Sequence, residues 1–315
     1  MSTFRESLEQ YVALRRAFGT KYREPARTLG YFVDFLEREG AQFITTPLAM
    51  QWAMQPQGVQ HATWARRLTM VRRFASWLSA TEPRTQVPPR RLIASRQHRK
   101  APHIFSDEEI RQLMAAAAQL RSPTGLRGAT YATLIGLLAA TGLRPGEALA
   151  LDRSNVDLQS GILTIRQSKF GKSRLVPVTE STRAALERYQ QRRIEFVSRT
   201  QNEAFFISER GTRLEGSSVR CTFAKISRTA GLRAAVENVR IGHGPRLQDI
   251  RHSFATRTLI DWYKAGLNVT LELPKLATYL GHVDIGHTYW YVEGVPELLQ
   301  LATERLGTHI SRGRV

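Results

Sequence analysis

Five side chains between residues 144 and 291 of this 315-residue chain have the chemistry needed to break and rejoin a phosphodiester bond. They are Arg144 in TGLRPGEAL, Lys169 in SKFGKSR, Arg251 in QDIRHSFA, His282 in YLGH, and Tyr291 nine residues later. Two guanidinium groups can hold a phosphate, an ammonium group can protonate a leaving alkoxide, and a phenolic oxygen can attack phosphorus. The order and spacing of the set predict chemistry at a DNA backbone.

Each of these residues also has a structural explanation when it is considered alone. Arg144 precedes Pro145, a favoured first helical residue, so its side chain could instead cap the carbonyls of the preceding helix. A turn lysine such as Lys169 is usually exposed, a histidine after a helix-ending glycine is often a cap, and an aromatic run is typical of a core. On a helix Tyr289 and Tyr291 point about 200° apart, so both cannot face one phosphate.

The chain is strongly basic, with 46 Lys and Arg against 27 Asp and Glu and a net charge of +19. Residues 1–100 hold 17 basic and 7 acidic side chains, so this part is the more basic per residue. The balance favours DNA, because binding releases the counterions condensed on its phosphates. A merely solvated basic surface is the alternative. A membrane surface is less favoured, since no single amphipathic segment carries the charge.

Other sequence features narrow the class of protein. The one cysteine, Cys221, excludes an internal disulfide, and we expect it to be packed within a helix of a protein from a reducing compartment. The N-terminus has no apolar signal-like region and no run of 18 apolar residues occurs. We therefore expect a cytoplasmic, nucleoid-associated protein of bacterial type. The histidines and the cysteine lack metal-ligand spacing, so no metal or other cofactor is expected.

Proline and charge patterns predict two domains joined by a basic connector. Residues 83–105 contain four prolines and six Lys or Arg but no acidic residue, a composition that favours extended chain. We expect an N-terminal helical domain at 1–82, a linker at 83–105 and a larger domain at 106–315. Linker residues such as Arg90 and Arg91 are candidates for DNA contact, with simple solvation as the alternative.

The N-terminal domain shows apolar residues at helical spacing in three segments. In the third segment, HATWARRLTMVRRFASWL, an apolar stripe runs along one side: Trp64, Leu68, Val71, Ala75 and Leu78. Arg66 and Arg73 lie opposite this stripe, and Arg67 and Arg72 flank it. These arginines lack acidic partners one turn away, so we favour a DNA groove over an ordinary solvated face.

The larger domain is predicted to be mainly α with a small antiparallel β-hairpin or sheet. Ser106 and Glu109 form a capping box, and a buried helix covers Ala129–Ala140 and ends at Thr141-Gly142. GILTIRQ and SRLVPV alternate as strands of a hairpin around SKFGK. Further helices are predicted at Glu180–Val197, Ser217–Ala230, Gln248–Ala265, Leu273–Leu280 and Pro296–Leu306.

From Ser106 to about Leu306 these motifs resemble the tyrosine recombinase (phage integrase) family, of the Xer and Cre type. The resemblance implies a helical core-binding domain followed by a catalytic domain, which together grip duplex DNA. By that resemblance the catalytic set is Tyr291, Arg144, Arg251, Lys169 and His282, with Glu147 as the acidic neighbour. Further candidates for DNA contact are Lys172, Arg174, Arg246 and His252.

One position departs from the family pattern. The family usually has histidine three residues before the second arginine, where this chain has Gln248. Glutamine can donate a hydrogen bond to a phosphate oxygen but cannot carry the proton of the attacking tyrosine. Either His282, His252 or water handles that proton, or the chain is a weakened partner in a multi-recombinase system. We favour retained activity, since general base help is typically a factor of about 10²–10⁴.

The resemblance also implies how the reaction would be organised. It implies a 3′-phosphotyrosyl intermediate without nucleotide or metal, formed by four protomers on two DNA sites, with related recombinases as conceivable partners. The expected role is integration, excision or resolution of a mobile element or replicon. Val295–Leu306 is expected to dock on a neighbouring subunit, or else to pack on its own chain. Two other functions stay open: a non-catalytic DNA-binding protein and a type IB topoisomerase-like relaxer.

Overall fold

The computed structural model describes residues 3–94, 101–166, 173–196, 202–234 and 244–281, which belong to two compact units. The units divide between Lys100 and Ala101, and each has its own apolar core. Helices predominate in both units, and a small antiparallel sheet lies in the second. The predicted fold class, mainly α with a small antiparallel sheet, is therefore confirmed.

The described part of the N-terminal unit has one helix more than the three predicted. Its helices are α1 (Phe4–Ala17), α2 (Arg23–Arg38), α3 (Thr46–Met54) and α4 (His61–Leu78). The unpredicted α3, TPLAMQWAM, is almost entirely apolar, so it lacks the polar and apolar alternation that marks an amphipathic helix. Its start was nevertheless recognisable, because the Thr45 hydroxyl accepts from the Leu48 N–H at 3.3 Å and Pro47 lies in the first turn.

The apolar stripe of α4 packs into the N-terminal core largely as predicted. Leu68, Val71, Ala75 and Leu78 are buried, and Trp64 is half-buried with its indole N–H on the Pro56 carbonyl. Phe74, which the stripe did not include, is fully buried too. The stripe is wider than predicted, as expected for a helix packed against several neighbours.

The first part of the predicted connector packs on the N-terminal unit. Thr85 is buried, and the Gln86 N–H donates to the Ile44 carbonyl at 2.8 Å. The Gln86 side-chain oxygen accepts from the Thr46 N–H at 2.9 Å, and Ile93 packs against the same core. The prolines thus mark an irregular segment, but Gln86 and Ile93 of this segment still bind to the N-terminal unit.

The second unit contains seven described helices and three short strands. The helices are α5 (Asp107–Ala118), α6 (Leu126–Thr141), α7 (Pro145–Ala150), α8 (Glu180–Phe196), α9 (Gly216–Thr229), α10 (Asp249–Lys264) and α11 (Val269–Leu280). The strands are β1 (Val156–Asp157), β2 (Ile162–Ile165) and β3 (Arg174–Pro177). The predicted capping box of Ser106 and Glu109 is present at the start of α5.

The predicted hairpin is confirmed in its two strands. β2 pairs antiparallel with β3, from Ile162 opposite Pro177 to Ile165 opposite Arg174, and β1 adds a third strand beside β2. β1 has only two residues, too few for alternation to be detected in the sequence. Residues 167–172, between the two strands, lie outside the described residues.

Helix α6 is the central element of the second unit, with α5, α7, α8 and α10 packed around it. It ends as predicted at Thr141, because Gly142 adopts a left-handed conformation with φ of 59°. A side chain at Gly142 would collide with the Phe254 ring of α10, so the glycine also permits close approach of the two segments. The approach brings the end of α6 beside the start of α10.

Two further expectations are corrected by the structure. α11 starts at Val269, four residues before the predicted start, with Asn268 as its cap and Pro274 inside the helix. Proline usually marks a helix start, which placed the predicted boundary too late. Cys221 is exposed on α9, so the prediction that it is a packing residue was wrong. Within the described ranges, no helix is long and apolar enough to span a membrane.

Candidate active site

Three arginines from separate segments bind the C-terminal end of α11. Arg174 Nε donates to the carbonyl of Tyr279 at 2.8 Å, Arg251 Nη2 to that of Leu280 at 2.8 Å, and Arg144 Nη2 to that of Gly281 at 2.9 Å. The last carbonyls of a helix have no partner within the helix and form the negative end of its dipole. These three consecutive carbonyls, here called the carbonyl row, therefore both position the guanidinium groups and stabilise their charge.

Arg144 occupies the junction between α6 and α7, as its place before Pro145 predicted. Its Nη1 donates to Glu147 Oε1 at 2.8 Å, and its backbone N–H donates to Glu147 Oε2 at 3.1 Å. The side chain does cap a helix, but the helix is α11 rather than the preceding α6. The side chain stays 26% exposed, so it can also reach a ligand.

Glu147 is the acidic centre of the cluster and is buried. Its carboxylate accepts from Arg144 and also from Arg174, whose Nη1 and Nη2 lie 3.1 and 2.8 Å from its two oxygens. Burial opposes ionisation of the carboxyl, but hydrogen bonds and charge attraction from Arg174 and then Arg144 outweigh it and hold the Glu147 pKa below its ordinary value. Glu147 is thus a fixed anion between two cations, and the trio keeps a net positive charge.

Arg251, near the start of α10, is almost completely buried at 3% exposure. Its Nη1 donates to the carbonyl of Gly142 at 2.9 Å, and its Nη2 to that of Leu280. It therefore joins the ends of α6 and α11, two helix C-termini where a cation is stabilised. The structure thus brings Arg144 and Arg251 to neighbouring carbonyls, those of Gly281 and Leu280.

The remaining candidates at the start of α10 differ in their surroundings. Gln248 is the exposed residue before the first turn, His252 is half-buried, and Arg246 is half-exposed. The Arg246 guanidinium forms an ion pair with the buried Asp249, at 2.8 Å from Nη2 to Oδ1. Arg246 is thereby tied to its own helix start, whereas Gln248 faces solvent three residues before Arg251.

Four predicted residues lie outside the described residues. They are Lys169, Lys172, His282 and Tyr291, and the predicted helix Pro296–Leu306 is outside as well. Their proposed roles stay predictions. Within the described ranges, no cluster of three His, Cys, Asp or Glu side chains could hold a metal ion.

The arginine candidates of the N-terminal unit separate into two kinds. Arg66 and Arg73 are exposed, and Arg66 lies 3.7 Å from Glu24 of α2. Arg67 turns inward instead: its guanidinium stacks 3.7 Å from the centre of the Trp52 ring and donates to the Trp52 carbonyl at 2.8 Å. In this structure Arg67 therefore makes a packing contact, and its expected DNA contact stays a prediction. The other three candidates keep accessible side chains: Arg72 is half-buried, and Arg90 and Arg91 are exposed.

Arg174 is the residue whose position differs most from its predicted one. It was expected to contact DNA, but its side chain is only 13% exposed and binds Glu147 and Tyr279. Sequence reasoning placed it in a basic group behind Lys169. One signal could have distinguished Arg174 from the basic residues of the predicted turn: it is the first residue of β3, directly opposite Ile165.

The chain is similar in sequence to known proteins. The profile of the Phage integrase family matches residues 104–296. The chain is 44% identical to the putative integrase/recombinase y4rB of Sinorhizobium fredii, over 97% of this chain and 98% of that protein. It is 31% identical to the tyrosine recombinase XerD of Caulobacter vibrioides, over 77% of this chain and 74% of that protein.

A solved structure shares the fold. The Tn1549 transposon integrase in complex with transposon right end DNA superposes with a TM-score of 0.64 and 16% identity, covering 96% of this chain and 99% of that chain.

Proposed function

The chain belongs to the phage integrase family of tyrosine recombinases, enzymes that cleave and rejoin DNA, and from this premise we propose that it is a site-specific recombinase acting through a 3′-phosphotyrosyl intermediate. The observation that carries the proposal is the placement of Arg144 and Arg251 on neighbouring carbonyls, those of Gly281 and Leu280. His282 is the next residue in the chain, and Tyr291 follows nine residues later.

The proposed cleavage step is a transesterification. The Tyr291 oxygen attacks the scissile phosphorus, the bond from phosphorus to the 5′ oxygen breaks, and a tyrosyl ester forms at the 3′ end. Lys169 gives a proton to the leaving 5′ oxygen, so that a free hydroxyl is released. Because the ester keeps the energy of the broken bond, the 5′ hydroxyl of another strand can reverse the step and rejoin DNA.

The two fixed arginines stabilise the charge that develops on the non-bridging oxygens. A guanidinium has five N–H donors, and Arg144 uses two of its side-chain donors on Glu147 and Gly281. Donors therefore remain for a phosphate without any rearrangement of the side chain. Pre-positioned donors of this kind commonly make the largest single contribution to catalysis.

His282 and Gln248 are proposed to hydrogen-bond the phosphate, and the proton of Tyr291 passes to His282, His252 or water. The exposed position of Gln248, three residues before Arg251, is compatible with a ligand-facing amide. The proposed partners are double-stranded DNA and further copies of this chain, with four protomers on two sites. Residues 1–82 and 106–315 are proposed to contact the duplex, and the basic segment 83–105 to add phosphate contacts.

A nicked suicide substrate tests the reaction directly. After cleavage near the nick the short strand with the 5′ hydroxyl diffuses away, so a covalent protein–DNA adduct accumulates. We expect an adduct with the wild-type chain and none with Tyr291→Phe, while Tyr289→Phe serves as the matched control and keeps the adduct. Absence of a wild-type adduct would leave the chain as a DNA-binding protein only.

A plasmid with two sites tests recombination against simple relaxation. A recombinase exchanges the flanking sequences, whereas a topoisomerase-like relaxer changes the linking number and leaves the flanks unchanged. For the departure at position 248, Gln248→His should leave or raise the cleavage rate. A large fall in that rate would show that the glutamine has a positive role.

A further inference from the structure

We propose that Arg174 is a positioning residue for DNA cleavage, which holds Arg144 in place through Glu147 and fixes the end of α11 through the Tyr279 carbonyl. This inference rests on the proposed function, because it concerns the rate of the same cleavage step. Arg174 belongs to the segment KFGKSRLVPV, in which only Lys169 was expected to take part in the reaction.

All three nitrogens of the Arg174 guanidinium have a partner. Nη1 and Nη2 lie 3.1 and 2.8 Å from the two oxygens of Glu147, and Nε lies 2.8 Å from the carbonyl oxygen of Tyr279. With a side-chain exposure of 13%, half that of Arg144 at 26%, the group is already committed within the protein. Three of its five N–H donors are therefore used inside the protein, where they hold Glu147 and the end of α11 in place.

Glu147 transmits the effect of Arg174 to Arg144. The same Oε1 accepts from Arg144 Nη1 and Arg174 Nη1, and the same Oε2 accepts from the Arg144 backbone N–H and Arg174 Nη2. Arg174 therefore supplies two of the four hydrogen bonds that hold this carboxylate, and Arg144 supplies the other two. If Arg174 is removed, the carboxylate can rotate and the Arg144 guanidinium turns with it.

The backbone at the end of α11 is shaped to admit this side chain. Gly281 has φ of 68°, and a Cβ at this position would lie 2.8 Å from Arg174 Nη1. The glycine thus ends the helix and also leaves room for the guanidinium to lie against the backbone. The residue after Gly281 is His282, so this contact lies next to a second proposed phosphate ligand.

Arg174 also links the hairpin to the arginine cluster. It is the first residue of β3, paired with Ile165 of β2, and it stands five residues after Lys169. A guanidinium fixed to both α7 and α11 thus sets where β3 begins relative to the carbonyl row. Lys169, the proposed acid, and Arg144 and Arg251, the proposed phosphate ligands, would then be positioned relative to the same side chain.

The test separates the rate of cleavage from the binding of DNA. Cleavage is measured in a single turnover on the nicked substrate with protein in excess, and DNA binding is measured by titration with the same duplex. The variants are Arg174→Lys, which keeps the charge but cannot form the fork, and Arg174→Ala. We expect adduct formation to slow by about 10²-fold with the Kd changed less than about threefold, since a displacement near 1 Å at a reacting group costs about that much.

Arg183→Ala is the matched control. Arg183 also bridges two carboxylates, those of Glu180 and Glu187, and contacts a carbonyl, but it lies on α8 and has no contact with the carbonyl row within the described residues. We expect this variant to cleave at the wild-type rate. Thermal unfolding of each variant shows whether it is folded at the assay temperature, and if Arg174→Ala is not, Arg174→Lys carries the test.

A double-mutant cycle identifies the route through Glu147. Glu147→Gln and Arg174→Lys are combined in one chain. We expect the cleavage rate of this double variant to lie within about threefold of the rate of the slower single variant. A multiplicative loss would overturn the inference, because Arg174 would then act independently of Glu147. A wild-type rate for Arg174→Lys, or a loss seen only in the Kd, would overturn it too. These outcomes presuppose an active wild-type chain; a wild type that forms no adduct would overturn this inference together with the proposed function.

Discussion

The arginines of α4 and those around α11 are the same residue type in opposite environments. Arg66 and Arg73 extend from α4 into solvent, whereas Arg144, Arg174 and Arg251 each donate to a backbone carbonyl at the end of α11. Exposed guanidinium groups can follow a phosphate backbone but lose side-chain entropy when they bind it. Fixed groups have already lost that entropy on folding. Under the proposed function, Arg66 and Arg73 of α4 would supply affinity for DNA, and Arg144, Arg174 and Arg251 would serve the chemical step.

The largest expected effect is on stability, from removal of the shared carboxylate. Glu147→Ala would leave Arg144 and Arg174 without the buried carboxylate that they share, and breaking a buried ion pair on one side typically costs about 3–5 kcal/mol. Chemical denaturation of the wild type and the variant measures the loss. Glu187→Ala, which breaks a partly exposed pair with Arg183, is the control and should lower the stability much less, because water screens such a pair. Equal losses would remove the distinction between fixed and exposed arginines.

The second prediction concerns chemistry. Arg144→Ala should lower the cleavage rate at saturating DNA by about 10²–10³-fold, the usual cost of removing one pre-positioned donor to a developing charge. Single-turnover adduct formation measures it. Combined replacement of Arg66 and Arg73 by alanine should leave this rate unchanged once DNA is saturating. A slower rate in the α4 variant would show that its arginines also take part in the chemical step.

The third prediction concerns affinity. Combined replacement of Arg66 and Arg73 should reduce the slope of log K against log salt by about 1.8, which is about 0.9 for each phosphate that is no longer neutralised. Binding titrations over a range of salt concentrations measure the slope. Arg67→Ala is the contrast within the same helix: it should leave the slope unchanged and cost about 1–2 kcal/mol of stability, because it removes a desolvated cation–π interaction with Trp52. If Arg67→Ala lowers the slope, its guanidinium leaves Trp52 to bind DNA.

The smallest expected effect is a pH dependence. The Glu147 pKa in the folded chain lies below its ordinary value, so its ion pairs contribute fully above an unfolded pKa of about 4.3. That contribution is lost as the pH falls through the lower folded pKa. The difference in unfolding free energy between wild type and Glu147→Gln should therefore be constant above about pH 5.5 and shrink below about pH 4. A difference that grows on acidification would contradict the direction of the shift.

Much of the fold was predictable because its signals are local. The capping box at Ser106, the glycine that ends α6 and the alternation in β2 and β3 each lie within a few consecutive residues. The elements that were missed lack a clear periodic pattern: α3 is almost entirely apolar, and β1 has only two residues. Local pattern also misplaced the start of α11, where the proline lies inside the helix.

The candidate site was predictable in its residue types but not in its contacts. Arg144, Glu147 and Arg251 stand in recognisable motifs, and the structure joins them. The carbonyl row could not be predicted, because hydrogen bonds such as that from Arg144 to Gly281 connect residues 137 positions apart. The acceptors are backbone carbonyls, which every residue has, so the residue type does not show which of them accepts. For the same reason Arg174 and Arg67 looked like surface cations, although burial by distant residues turns both inward.

Because one helix end anchors three arginines, the site is unusually sensitive to the length of α11. Each residue of an α-helix adds about 100° of rotation and about 1.5 Å of rise. Deletion of a single residue between Val269 and Tyr279 would turn the carbonyls of Tyr279, Leu280 and Gly281 away from all three guanidinium groups at once. Substitutions along this helix can accumulate gradually, but a change in its residue count would abolish the arrangement in one step. Descendants of this chain should therefore vary in the composition of α11 and keep its register.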